Sequence, residues 1–224
     1  MKDYSSSERQ ITTDNIFSNN RLGIEDTFES GKSLTIGIDY KKEKLKDINR
    51  YFKVKLATVL RDKEEKFIPT MSTLNKKQSN LFGTISNSFS ENFNLDYNFA
   101  IDNDLNSFEY NKISATYSIN NFFTSFNFIE EGGEMGSSNV LENTFKYSFD
   151  NKNSISFSTR RNRKINLTEY YDLVYQYKND CLSAGIKYNK TYYEDRDLKP
   201  VEDLLFTITL FPLTTYEQKV SKWK

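Results

Sequence analysis

The chain has 224 residues in which 31 Lys and Arg balance 31 Asp and Glu, so no net field draws it to nucleic acid or to acidic surfaces. It contains no His, which removes the usual base for a catalytic triad and the usual ligand for zinc or non-haem iron. Its 18 Phe and 15 Tyr, against 8 Gly and 3 Pro, favour strands over helices, and an all-β fold is expected.

In chain order, the opening MKDYSSSERQITTD has no apolar h-region and does not read as a signal peptide, so on these residues alone the chain is expected to stay in the cytoplasm. Residues 1–30 read as a loop segment. From residue 31 the hydrophobic period becomes two. SLTIGIDY places Leu34, Ile36, Ile38 and Tyr40 on one face, and RYFKVKLATVL does the same with Phe52, Val54 and Leu56. The clearest case is FNLDYNFAID, where Phe93, Leu95, Tyr97, Phe99 and Ile101 oppose Asn94, Asp96, Asn98 and Asp102. The pattern continues through KISATYSI, ENTFKYSF, YDLVYQY and LSAGIKY to LLFTITLF at 204–211, the longest apolar stretch and far short of the ~20 residues of a membrane helix.

About eleven strands are predicted, near 33–41, 51–61, 79–89, 93–102, 107–118, 121–130, 138–149, 153–161, 169–177, 181–192 and 203–211, with a tail at 214–224. Most exceed the ~5 to 6 residues usual for soluble strands. Connections alternate. SEN, NN, DNKN and KND are minimal, whereas RDKEEKFIPTMSTLNKKQ, EEGGEMGSS, NRKINL and EDRDLKPVED are longer and polar.

Long strands, dyad alternation and alternating loop length are the pattern of an antiparallel transmembrane β-barrel, with short turns in the periplasm and long loops outside. A tilted strand needs ~9 to 11 residues to cross a bilayer, and only a closed sheet satisfies its backbone there. A soluble β-sandwich or lipocalin-type barrel, its apolar face turned inward, would write the same string. Eleven is odd while single-chain bacterial barrels have even strand numbers, so the strands at 31–213 are expected to be an incomplete, C-terminal barrel portion, with the tail periplasmic.

No catalytic motif survives inspection. GKS at 31–33 lacks the P-loop glycine, Asp26 standing in its place. GGEMG at 132–136 lacks nucleotide-binding spacing and reads as a flexible surface loop, and the acidic run YYEDRDLKPVED reads as a solvated one. Catalytic residues, metal ligands and cofactors are therefore expected to be absent.

Two blocks resemble a known family. EYYDLVYQYKNDCLSAGIKYNKTYYEDRDLKPVEDLLFTITLFPL, residues 169–213, is similar to the C-terminal end of the lipopolysaccharide-assembly outer-membrane family LptD (OstA, Imp): a Tyr-rich strand, an acidic turn, Cys, a strand, RDL-P and a final apolar strand. DNIFSNNRLGIEDTFESGKSLTIGIDY, residues 14–40, resembles the family's N-F-x-x-N/D-R loop leading into a strand, with Ile24 and Glu25 departing from its Gly-Tyr wording.

The resemblance implies a non-enzymatic translocon of the outer membrane that inserts lipopolysaccharide into the outer leaflet. It implies a plug lipoprotein of the LptE kind in the lumen, and a periplasmic bridge protein engaged through an N-terminal domain that these residues do not include, where the export signal would also lie. It further implies a lateral seam, with Leu204, Phe206, Ile208 and Leu210 facing lipid on the last strand, and a disulfide between Cys181 and a cysteine of that periplasmic domain. Some family members carry two adjacent cysteines there; Asp180 and Leu182 flank this one, so a single bridge is expected. The alternative is a porin-like channel or surface adhesin with no lipopolysaccharide traffic.

Overall fold

A computed structural model describes residues 10–23, 29–192, 200–211 and 214–220. Ile24, Glu25 and the acidic run at 193–199 lie outside the described residues. The fold is all-β, with twelve strands joined antiparallel in sequence order as one sheet. They are β1 (Ser33–Lys44), β2 (Asp47–Arg61), β3 (Leu81–Ser90), β4 (Phe93–Ile101), β5 (Phe108–Ile119) and β6 (Phe122–Glu131), followed by β7 (Asn139–Ser148), β8 (Asn153–Asn162), β9 (Leu167–Lys178), β10 (Leu182–Thr191), β11 (Val201–Leu210) and β12 (Thr214–Val220). The one helical element among the described residues is a single 3-10 turn, Thr70–Ser72. Among the described residues β1 and β12 do not pair, so the sheet is open, as in an incomplete barrel.

Two expectations change. Residues 214–220, expected to be a tail, form β12 and pair with β11 from Leu210↔Thr214 to Leu204↔Val220. Thr214, Thr215, Tyr216 and Val220 are β-branched or aromatic, but the segment is too short for its period to stand out. With twelve strands the odd-number argument loses its premise. The connection between β1 and β2 is also tighter than expected, because both strands extend to a turn at 45–46. Every connection after an odd-numbered strand is then short (45–46, 91–92, 120–121, 149–152, 179–181, 211–213), while those after β2, β6 and β10 are the long ones.

The short turns are built on side-chain acceptors. Asp150 Oδ1 accepts the N–H groups of Lys152 and Asn153, both at 2.7 Å. Asn179 Oδ1 accepts those of Cys181 at 3.0 Å and Leu182 at 2.7 Å. Asn120, at φ 49°, takes the left-handed conformation that tight hairpins require and that Asn tolerates.

The chain divides into two compact units, Met1–Ser114 with Ile129–Ser138, and Ala115–Phe128 with Asn139–Lys224. In the first, a hydrophobic core gathers Ile11 and Ile16 from the segment before β1, Ile68 and Leu74 from the β2–β3 loop, and Val59, Phe82, Ala100 and Tyr110 from strands. Met135 joins it at 4% exposure, so the GGEMG stretch is an anchored loop instead of a flexible one. Gly133 and Gly136 supply the positive φ values, 57° and 144°, that turn the chain so Met135 can point inward. In the second unit Val140 is the single buried residue among those described.

Candidate functional site

Strand register assigns every side chain to one of two faces. In the first unit Tyr40, Val54, Ile85 and Tyr97 lie in one cross-strand row, and Ile38, Leu56, Gly83 and Phe99 in the next. This is the apolar face. Gly83 is required there, since a Cβ on it would fall 2.1 Å from Phe99 Cζ, and the ring covers the bare backbone. The opposite face carries Asp39, Lys55, Thr84 and Asn98 in one row, with Lys53, Ser86 and Asp96 beside them.

Residues 10–23 lie on that polar face. Thr13 Oγ1 meets Thr84 Oγ1 at 2.7 Å, and Thr84 donates to Asn98 Oδ1 at 2.8 Å. Lys55 Nζ donates to Asp14 Oδ1 at 2.7 Å and lies 3.7 Å from Asp39, and its hydrogen bond holds the Asp14 carboxyl below the usual carboxylate range. At the far end of the segment Arg21 Nε donates to Glu29 Oε2 at 2.6 Å, and Arg21 Nη1 to Ile16 O and Thr35 Oγ1 at 3.2 and 2.8 Å. Arg61 also pairs with Glu29, and with only 1% of its side chain exposed it is among the most buried cations described. Glu29 therefore neutralises two arginines whose burial would otherwise be costly. Gly37 makes room for this segment, because a Cβ there would sit 2.6 Å from Phe17 Cζ. The whole arrangement is a strap pinned across polar strand faces.

The second unit has the same two faces and, among the described residues, no strap. Phe145, Phe157, Leu173, Tyr188 and Leu204 form one apolar row, and Tyr147, Ile155, Tyr175, Ile186 and Phe206 the next. On β9 to β11 the apolar side chains are the exposed ones, Leu173 at 42%, Ile186 at 42% and Ile208 at 45%. The polar side chains between them, Asp172, Lys187, Asn189 and Thr207, are half-buried. This inverts the order of a water-soluble sheet. The polar face is knitted by Arg160 to Glu142 and Glu169 at 3.2 and 2.7 Å, Lys187 to Asp172 at 3.0 Å, and Lys219 to Asp203 at 2.7 Å.

The residues singled out from sequence fall as follows. Phe206, Ile208 and Leu210 are exposed on the apolar face, and Leu204 on the same face is half-buried. Their strand is not the last: β12 covers its outer edge, so β11 lies one strand inside. Cys181 is exposed in the β9–β10 turn, with its carbonyl accepting Phe211 N–H at 2.9 Å. It is the only cysteine of the chain, so it has no partner within it. Sequence reading missed the strap and the Arg21–Glu29–Arg61 cluster. Only tertiary pairing brings those charges together, and no local spacing announces it.

No curated protein matches the chain. A family model, LptD: LPS transport system D, matches residues 2–160. The match takes in the 14–40 block and every strand from β1 to β7, and stops before the 169–213 block. With most of its length matched, the two-faced chain of β-strands belongs to the LptD family, a family of lipopolysaccharide transport.

Proposed function

We propose that the chain is the barrel portion of an outer-membrane translocon that delivers lipopolysaccharide to the outer leaflet. The observation that carries this is the inverted exposure of β9 to β11, apolar side chains outward and ion-paired polar ones sheltered, in a member of a lipopolysaccharide-transport family. Every apolar side chain moved from water into hydrocarbon stabilises by roughly 25 cal/mol per Å². The polar face, with neutral hydroxyls and amides among paired charges, suits the passage of hydrated sugar. The role is one of transport, with no chemical step.

The seam through which lipid leaves would be bordered by β12, with Phe206, Ile208 and Leu210 presenting lipid-facing side chains one strand away. Short turns would face the periplasm. There Cys181, exposed and oxidisable, would bridge to a cysteine of a periplasmic domain, and a plug lipoprotein would sit against the polar face. The periplasmic bridge protein would dock on that same domain.

Two experiments on the full-length protein in cells test this. A photocrosslinker at Ser158, on the polar face, should yield lipopolysaccharide adducts, and one at Phe157, on the apolar face, should yield none that depend on the sugar. Absence of adducts at Ser158 would contradict the transport route. On non-reducing gels a mobility shift should be present and disappear in Cys181→Ser; its absence would remove the proposed bridge and leave the barrel reading intact.

A further inference from the structure

The β1–β2 hairpin differs from the other short connections. Its turn, 45–46, is Leu-Lys, and Lys41, Lys42, Lys44, Lys46, Arg50 and Lys53 cluster around it against only Glu43 and Asp47. Both anions are already committed, Glu43 to Lys41 and Asp47 to Arg50 at 2.9 Å. Lys42, Lys44 and Lys46 are exposed and have no ion pair among the described residues. At the other short turns the residues are Glu-Asn, Asn-Asn, Phe-Asp-Asn-Lys, Asn-Asp-Cys and Phe-Pro-Leu, none of them cationic in balance.

Position matters as much as charge. β2 pairs with β3 only over Phe52–Ala57, so toward the tip β2 meets β1 alone, through Tyr51 and Asp47, with Ile48, Asn49 and Arg50 in the irregularity between those two pairs. Along the apolar face toward this tip the rows read Ile38 with Leu56, Tyr40 with Val54, then Lys42 with Phe52. Tyr40 is 52% exposed, Leu45 wholly so, and Ile48 71%. Apolar residues give way to aromatics and then to lysines, which is the order in which hydrocarbon, interface and headgroups follow one another. Lys42 lies two residues, roughly 7 Å, beyond Tyr40. That matches the ~5 to 7 Å between hydrocarbon edge and outer headgroup boundary. Lysine stems can lie along apolar surface while their ammonium groups reach phosphate.

We infer that the outer side of the β1–β2 tip is a binding surface for anionic phospholipid headgroups in the leaflet that meets the short turns. The inference rests on the barrel reading above. Lys42, Lys44 and Lys46 supply the charge. Each lysine near an anionic surface contributes roughly a fivefold preference.

The test uses the full chain reconstituted in phosphatidylcholine bilayers carrying trace spin-labelled phosphatidylcholine or spin-labelled phosphatidylglycerol. The wild type should restrict the motion of both lipids and restrict phosphatidylglycerol more, a preference weakened in about 0.5 M salt. The triple variant Lys42→Gln/Lys44→Gln/Lys46→Gln should still restrict phosphatidylcholine and lose at least about half of the phosphatidylglycerol preference. The control Lys152→Gln/Lys178→Gln, near two other short turns, should keep it. Equal restriction of the two lipids by the wild type, or a preference retained by the triple variant, would overturn the headgroup site. No restricted component for either lipid would overturn the barrel reading itself.

Discussion

The two units of this chain are written in the same strand grammar and are stabilised by different means. The first buries Ile16, Leu74, Phe82 and Met135 beneath a strap and a long loop on its polar side, so part of its stability comes from packing that needs no bilayer. The second buries Val140 alone among the described residues and leaves rows of Phe, Tyr, Leu and Ile exposed. Among the described residues such a sheet has almost no core of its own, and under the proposed function hydrocarbon takes the place of one. The comparison teaches that alternation fixes which residues share a face but not where the apolar face finds its partner.

Glu29→Ala should produce the largest effect. It strands Arg21 and Arg61, both nearly fully buried, and should destabilise the first unit by about 3–5 kcal/mol in equilibrium urea unfolding from vesicles. A loss under about 1 kcal/mol would mean that the strap is not held by this cluster. Leu74→Ala, at a site with no exposure, should cost about 2–5 kcal/mol in the same assay. Leu173→Ala in the second unit should cost far less, because its side chain is exposed and, under the proposed function, meets fluid lipid instead of a packed core. Equal costs would erase the contrast between the units.

Ile208→Arg probes the second unit from the other direction. Placed near the bilayer midplane it should cost about 2–4 kcal/mol, while Thr207→Arg, one residue along and on the polar face, should stay within about 0.5 kcal/mol. Reversal of that order would mean that the faces are assigned the wrong way round. The smallest effect concerns Asp150. The Asn153 amide, then the Lys152 and Asn153 N–H groups, hold its carboxyl below the usual range. Its contribution is therefore complete above the unfolded carboxylate value near ~3.9 and is lost as pH falls through the lower folded value. Asp150→Asn should remove that acid dependence, seen as slower hydrogen exchange at Lys152 in the wild type than in the variant at neutral pH and equal exchange below the folded value.

Much of this was legible beforehand. The eleven predicted strands correspond one for one to β1 through β11, because dyad alternation over ten or so residues is a strong local signal. β12 escaped because its seven residues hold little more than three periods, and Gln218 interrupts the alternation that Tyr216 and Val220 would otherwise mark. The identity of the apolar face as the exposed one could not be read, since inverting a barrel leaves its sequence unchanged. The GGEMG loop looked mobile from composition, and only the pocket formed by other segments explains why Met135 is held. The resemblance at 14–40 falls inside the matched span, whereas 169–213 lies beyond it, so Cys181 and the strands around it rest on likeness and geometry alone. The strap was invisible because Asp14–Lys55, Thr13–Thr84 and Arg21–Glu29–Arg61 join residues distant in sequence.

The central claim is that the apolar face meets lipid. Nitroxides placed one at a time along 182–190 in a Cys181→Ser background, in the full chain reconstituted in bilayers, would report oxygen and aqueous nickel-chelate accessibility at each position. The account predicts a period of two, with high oxygen and low nickel accessibility at Ala184, Ile186 and Tyr188 and the reverse at Gly185, Lys187 and Asn189. Uniform aqueous access, or the same period with opposite phase, would contradict it.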